Sequence, residues 1–257
     1  MFNLLRTDFY RFGKNKLLYV AIIITIMIAF SLTILIQQDI RLGISVFGNL
    51  MALSEINDIL RMGIQYSNGL GIFIAILLSG FIGQEYQWKT WQYKWLIKKS
   101  RSRIYLSKLI LSMVGSSLIF FTYVIIVLLS SPGLGVLFKS HYFLMLISGL
   151  SIYAALGAVI CLFSILIKNN IASIVICLCY VLFAETLVSI VSHLMTISEN
   201  FGSIIEFGIK HSIYGMSIRA SSMSFSPDFT GLIILNSFTI IILSTTLGVV
   251  VFKKYEL

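Results

Sequence analysis

Long uncharged runs of apolar residues recur along this chain, separated by shorter polar segments. A helix needs about 20 residues to cross a hydrocarbon core about 30 Å thick. Six runs reach that length, at 17–36, 62–84, 109–130, 142–167, 171–193 and 231–252, with one interior acid, Glu185, in the fifth. The pattern predicts an all-α membrane protein with six transmembrane helices, built as a single domain over residues 1–257.

The first 16 residues follow a different pattern. Phe2, Leu5, Phe9 and Phe12 recur at spacings of three and four, with basic residues between them. This spacing predicts an amphipathic helix, and such a helix can lie flat in the membrane interface. A simple basic anchor that sets the topology would show the same residues, so both interpretations stay open.

Charge adds an orientation to this picture. Apolar residues make up 58% of the chain and charged ones 11%, well below the roughly 25% of a soluble domain. If the amino terminus is cytoplasmic, segments 1–16, 85–108, 168–170 and 253–257 are inside, and they hold most of the 19 basic residues. We therefore expect both termini in the cytoplasm. The net charge of +9 follows from this asymmetry and suits anionic lipids, so no nucleic-acid partner is expected.

The chemistry of an enzyme is not evident. Cys161, Cys177 and Cys179 fall inside apolar runs without the spacing of zinc ligands, and we expect buried thiols and no metal site. The chain lacks the G-x-x-x-x-G-K-[ST] phosphate loop. We predict no catalytic residue and no cofactor bound by this chain.

All three tryptophans lie in the segment GQEYQWKTWQYKW at 83–95. In a helix, Trp88, Trp91 and Trp95 fall within about 60° of one another and form one stripe. Aromatic residues also collect at head-group level in most membrane proteins, so the stripe by itself favours an interfacial anchor.

The spacing around this stripe is more specific. It comprises Glu85, Tyr86, Thr90, Ser100, Arg101 and Lys108. This resembles the loop between the second and third spans of type-2 ABC exporter permeases, which reads roughly E-Y/F-x-x-G-T, then S-R, then K. Lys89 stands where that pattern has Gly, and Lys98 where Pro is common.

The resemblance implies a permease domain whose 85–103 loop docks as a coupling helix on a separate ATPase subunit, with the turn between spans four and five as a second contact. Two ATPase subunits, which carry the ATP and Mg, would drive two permease subunits, either copies or homologues. The ATPase-coupling residues it implies are Glu85, Tyr86, Trp88, Thr90, Trp91, Trp95, Arg101, Lys168, Asn169 and Asn170.

Within the membrane, Gly71, Ala75, Ser79 and Gly83 form a small-residue ridge that predicts close helix packing. Glu185 continues through Ser189 and Ser192 at helical spacing. Because a carboxylate in lipid costs at least a few kcal/mol, this stripe predicts a substrate pathway or a dimer interface.

With one intramembrane carboxylate, the spans favour an amphipathic or hydrophobic cargo over a strongly hydrophilic one. The length and style of the chain also resemble bacteriocin-immunity and antimicrobial-peptide export permeases of Gram-positive bacteria. That likeness implies a multi-pass protein of the bacterial plasma membrane that exports a peptide. A secondary transporter and a non-enzymatic membrane scaffold remain the alternatives.

Overall fold

A computed structural model describes residues 2–38, 42–46, 49–53, 55–88, 100–130, 140–197, 206–222 and 226–254. Ten helices are described there: α1 Phe2–Gly13, α2 Lys16–Gln37, α3 Ile56–Ile64, α4 Leu70–Gln87, α5 Arg101–Ser130, α6 Ser140–Leu166, α7 Asn170–Leu182, α8 Ala184–Ile197, α9 Ile213–Ser222 and α10 Pro227–Lys254. A short helical stretch also covers 206–211.

The predicted all-α class has one exception in the described part of the chain. Strand β1 (Leu42–Val46) pairs antiparallel with β2 (Asn49–Leu53), with Leu42 opposite Leu53 and Val46 opposite Asn49. This hairpin lies between the first and second apolar runs. The pattern of apolar runs did not predict this hairpin, because five-residue strands leave little periodic signal.

Within the described residues, five helices are long and apolar enough to cross a membrane: α2, α4, α5, α6 from Tyr142 and α10. A sixth crossing is obtained if α7 and α8 count together, although they are bent by 54° at the break. The positions of the six predicted runs are therefore matched by helices. The predicted fifth span over 171–193 is covered by these two helices, with the bend between them.

The second span also differs from its prediction. It was expected to begin at 62, but α4 begins at Leu70, after a 3-10 turn over Tyr66–Asn68. Gly69 has φ +133, a backbone conformation that residues with a Cβ avoid. Gln65 and Asn68 are buried at this break and bond to each other, with 2.5 Å from Asn68 Nδ2 to Gln65 Oε1. Because these buried polar side chains are hydrogen-bonded, the helix can be interrupted inside an apolar run.

Among the described spans, α4, α5 and α6 are the most buried and form the core of the bundle. Gly149 of α6 meets the ring of Phe120, and Gly157 meets Ser112 and Ser116 on α5, so these two helices approach closely. The Phe120 ring also stacks on Tyr153, with 4.6 Å between centroids. By contrast, α2 and α10 expose most of their apolar side chains, which suits contact with lipid.

Candidate functional site

Four charged side chains meet where α1, the end of α4 and the start of α5 come together. We call Asp8, Arg11, Glu85 and Lys108 the charged cluster. Lys108 Nζ lies 2.9 Å from Asp8 Oδ1 and 2.6 Å from Glu85 Oε1. Arg11 Nη1 lies 2.7 Å from the same Glu85 oxygen. Three of the four are fully buried, and Arg11 is one-third exposed.

The charged cluster is balanced, with two cations and two carboxylates. Burying an ion costs several kcal/mol unless it is paired and hydrogen-bonded. Here Ser107 Oγ also donates to Asp8 Oδ2, at 2.7 Å. Because the four charges balance, loss of one side chain leaves a net charge in a largely buried site. The charged cluster thus joins three segments that are far apart in sequence.

An aromatic ring completes this site. Lys108 Nζ lies 4.9 Å and Arg11 Cζ 5.9 Å from the centroid of the Phe81 ring. Phe12 packs edge-on against the same ring, with 5.2 Å between centroids. A ring face attracts cations, and this attraction strengthens when water is excluded. Phe81 therefore helps to hold both cations at the junction.

The charged cluster also sets the orientation of α1. The predicted helix is confirmed, but its buried face is Leu4, Asp8 and Phe12, spaced by four. At 100° per residue, the predicted stripe of Phe2, Leu5, Phe9 and Phe12 is centred about 80° from that face. Phe9, a member of the stripe, is 36% exposed. Hydrophobic periodicity did not indicate that Asp8 is buried, because it counts an aspartate as outward-facing, whereas Asp8 is paired with Lys108.

The turn over 168–170 lies against the end of α4. Tyr86 donates its hydroxyl to the Ile165 carbonyl at 3.0 Å, and Asn170 Nδ2 lies 3.2 Å from Gln87 Oε1. Asn169 begins α7 as its N-cap, since its Oδ1 accepts from the Ile171 amide at 3.0 Å. The two segments that the family resemblance assigns to ATPase contact are therefore neighbours at one end of the bundle.

Several predicted coupling residues cannot be placed in this arrangement. Thr90, Trp91 and Trp95 fall outside the described residues, so the tryptophan stripe stays a prediction. Trp88 follows α4 directly and is 61% exposed. Arg101 is the first residue of α5, and Lys168 is exposed in the 168–170 turn.

The small-residue ridge of α4 packs on α7 of the same chain. A Cβ on Gly71 would lie 2.9 Å from Val181 Cγ1, and one on Gly83 would lie 2.9 Å from the Asn170 Cα. Ala75 and Ser79 are fully buried between these two contacts. The ridge thus supports a close contact inside the subunit.

Glu185 lies in the first turn of α8, just past the bend at Phe183, and is half-buried. It makes no ion pair or hydrogen bond with the residues that the structure describes. Ser189 and Ser192 are exposed, and their hydroxyls donate only to backbone carbonyls of their own helix, at 2.9 Å and 2.8 Å. This polar stripe therefore faces away from the described chain.

No group of three His, Cys, Asp or Glu side chains could hold a metal ion among the residues with described positions. Cys161 and Cys177 are buried, as expected. Cys179 is exposed on α7, so that part of the expectation was wrong. Cys179 lies two positions after Cys177, and two residues along a helix turn a side chain by about 200°, close to the opposite face.

Sequence reasoning missed Asp8, Arg11 and Ser107 as site residues. Their signal was weak but present: Asp8 is the one acid among four basic residues in 1–16. An acid on an otherwise basic amphipathic segment indicates a specific cationic partner. Identifying that partner as Lys108 requires the fold, because the two residues are separated by 100 positions.

Comparison with known families agrees with this architecture. The family model described as ABC-2 family transporter protein matches residues 4–184, which include the whole charged cluster and the 168–170 turn. Members are membrane subunits of ABC transporters, with ATPase activity in a separate subunit, and the family implies dimerisation. No curated protein matches the chain. From the match over well more than half of its length, this multi-pass membrane protein belongs to the ABC-2 transporter family.

Proposed function

We propose that this chain is the transmembrane subunit of an ATP-driven exporter, coupled to its ATPase through the 85–103 loop. The supporting observation is the shared position of that loop and the 168–170 turn. The loop follows the carboxyl-terminal end of α4, and the turn packs against that same end. Tyr86 donates a hydrogen bond to the Ile165 carbonyl, and Gln87 accepts one from Asn170. An ATPase subunit that docks there would contact both segments at once.

Movement of the loop would reach the membrane helices through the charged cluster. Glu85 is fully buried, so it acts by positioning the end of α4 and not by touching the ATPase. Its carboxylate holds Arg11 of α1 and Lys108 of α5. Displacement of α4 would therefore carry α1 and α5 with it, as a rigid-body change between inward-facing and outward-facing states.

Exposed side chains would make the direct contact with the ATPase. Trp88 offers a large apolar surface just beyond α4, and Lys168 and Asn169 are exposed in the turn. Buried aromatic side chains dominate many protein interfaces. We assign the docking surface to Trp88, the rest of the tryptophan stripe and the 168–170 turn.

The path for the cargo would lie along α8. Lipid is a poor environment for Glu185, Ser189 and Ser192, so this stripe would face a second permease copy or the cargo. Between the charged ends of the described spans, Glu185 is the one formally charged side chain. That supports an amphipathic or hydrophobic cargo, with a peptide as the form that the family resemblance favours.

The remaining features of the proposal rest on charge and resemblance. The distribution of Lys and Arg favours cytoplasmic termini. The likeness to bacteriocin-immunity permeases favours a bacterial plasma membrane and outward transport. Mg and ATP would bind to the partner ATPase.

The test is co-purification in mild detergent with a candidate ABC ATPase, followed by measurement of ATP turnover with amphipathic peptides. We expect a stable complex whose turnover rises with peptide. Trp88→Ala and Trp91→Ala should weaken the complex about tenfold or more, because each removes a large apolar contact.

Phe207→Ala is the matched control, since Phe207 is 64% exposed on a different segment, next to α9. Glu85→Ala should leave the docking surface in place but uncouple ATP turnover from transport. A complex that tolerates both tryptophan variants would show that the segment is only an interfacial anchor.

A further inference from the structure

The pairing of Asp8 with Lys108 changes the surface of α1. Asp8 is the only acid in the first 38 residues, and it is fully buried. Arg11 is engaged by Glu85. Arg6, Lys14 and Lys16 are exposed and form no ion pair with the described part of the chain. The outer surface of this segment therefore carries only positive charge.

These cations form an ordered surface. Arg6, Tyr10 and Lys14 are spaced by four, and at 100° per residue their stripe lies about 160° from the buried face of α1. Tyr10 is 63% exposed, and Lys14 Nζ lies 5.0 Å from the centroid of its ring. The charged cluster thus turns a basic and aromatic stripe directly away from the bundle.

The next helix fixes the depth of this stripe. Lys16 is the first residue of α2, a 22-residue apolar span, and the Asn15 side chain caps it by accepting from the Leu17 amide. The start of such a span lies at the membrane boundary. Tyr10, Lys14 and the exposed Tyr19 are therefore placed at the level where aromatic and basic side chains meet lipid head groups.

We propose that Arg6, Lys14 and Lys16, with Tyr10, form a binding surface for the head groups of anionic phospholipids. The phosphate is recognised by charge, and the tyrosine ring lies beside the ammonium group of Lys14 at the same depth. This surface is independent of the ATPase contacts proposed above. Its failure would leave the exporter proposal standing, and the reverse also holds.

Native mass spectrometry of the purified chain, released from nanodiscs of equal parts phosphatidylglycerol and phosphatidylcholine, tests this inference. We expect phosphatidylglycerol to be retained in preference. One cation near an anionic surface changes affinity roughly fivefold. R6Q/K14Q/K16Q should lose most of the preference, and K14Q alone should lose roughly fivefold.

K210Q is the matched control, because Lys210 is equally exposed on a segment away from α1. Its lipid ratio should equal that of the wild type. Equal retention of phosphatidylglycerol by wild type and the triple variant would overturn the proposal. So would displacement of the lipid by soluble glycerol phosphate, which would indicate a site for free phosphate.

A third outcome separates lipid from protein partners. If the triple variant keeps its lipid ratio but no longer co-purifies with the ATPase, the stripe is a protein-docking surface and the lipid proposal is wrong. Thermal unfolding of each variant checks the fold. We expect unchanged midpoints, because all three side chains are exposed.

Discussion

Asp8 and Lys108 form an ion pair that is fully buried, with 2.9 Å between Asp8 Oδ1 and Lys108 Nζ. The pair joins the amino-terminal helix to the start of α5. Since Lys108 also holds Glu85, one ammonium group connects α1, α4 and α5. Stability and coupling at this end of the bundle therefore depend on the same few atoms.

Asp8→Asn should destabilise the protein by about 3 kcal/mol or more, because Lys108 would keep its charge in a buried site with one carboxylate fewer. The measurement is unfolding of the purified protein in detergent. Asp228→Asn is the control, since Asp228 is exposed at the start of α10 and should change stability by less than about 1 kcal/mol.

A double variant isolates the pair. Asp8→Asn with Lys108→Met removes both charges and leaves the Arg11–Glu85 pair balanced. It should be more stable than Asp8→Asn alone, because the remaining charges, Arg11 and Glu85, are again balanced. Simple addition of the two single effects would show that the ion pair does not carry the coupling.

Gly83→Val should loosen the contact between α4 and the 168–170 turn. A Cβ at this position would collide with Asn170 Oδ1 and would lie 2.9 Å from the Asn170 Cα, so the backbone must move. We expect a loss of about 1–3 kcal/mol in unfolding free energy. Gly231→Val is the control, because nothing lies within 4 Å of a Cβ there. Equal losses in both variants would point to helix propensity and not to the contact.

Glu185→Gln should leave the unfolding midpoint unchanged, since Glu185 pairs with no described residue. It should instead lower peptide-stimulated ATP turnover or dimer content, measured in detergent by mass photometry. Glu206→Gln, which removes an exposed carboxylate between α8 and α9, is the control. If both readouts match the wild type, the α8 stripe has no part in pathway or interface.

The helix positions were predictable because apolar runs long enough to cross a membrane have few other uses. The two places where a helix is interrupted were not predictable. At Tyr66–Asn68 and at Phe183 the chain departs from a helix inside apolar runs, without proline to mark the first or second break. At the first break a tertiary partner takes part: the Ser221 hydroxyl lies 2.6 Å from Gln65 Nε2.

The charged cluster was also predictable only in part. Glu85 and Lys108 were named from their spacing, yet their direct bond was not foreseen, because spacing gives no distance between helices. Asp8 was missed altogether. A charge that is buried only because its partner is brought by another helix has no periodic signal of its own.

The bend between α7 and α8 has a consequence for the length of the fifth crossing. The 13 residues of α7 reach about 20 Å, and the nine residues Ala184–Ser192 add only about 8 Å along the same direction because of the 54° bend. A straight helix of these residues would be about 5 Å longer. If the two helices form one crossing, its length of about 28 Å is slightly short of a core about 30 Å thick, and a thicker bilayer would favour straightening of the bend.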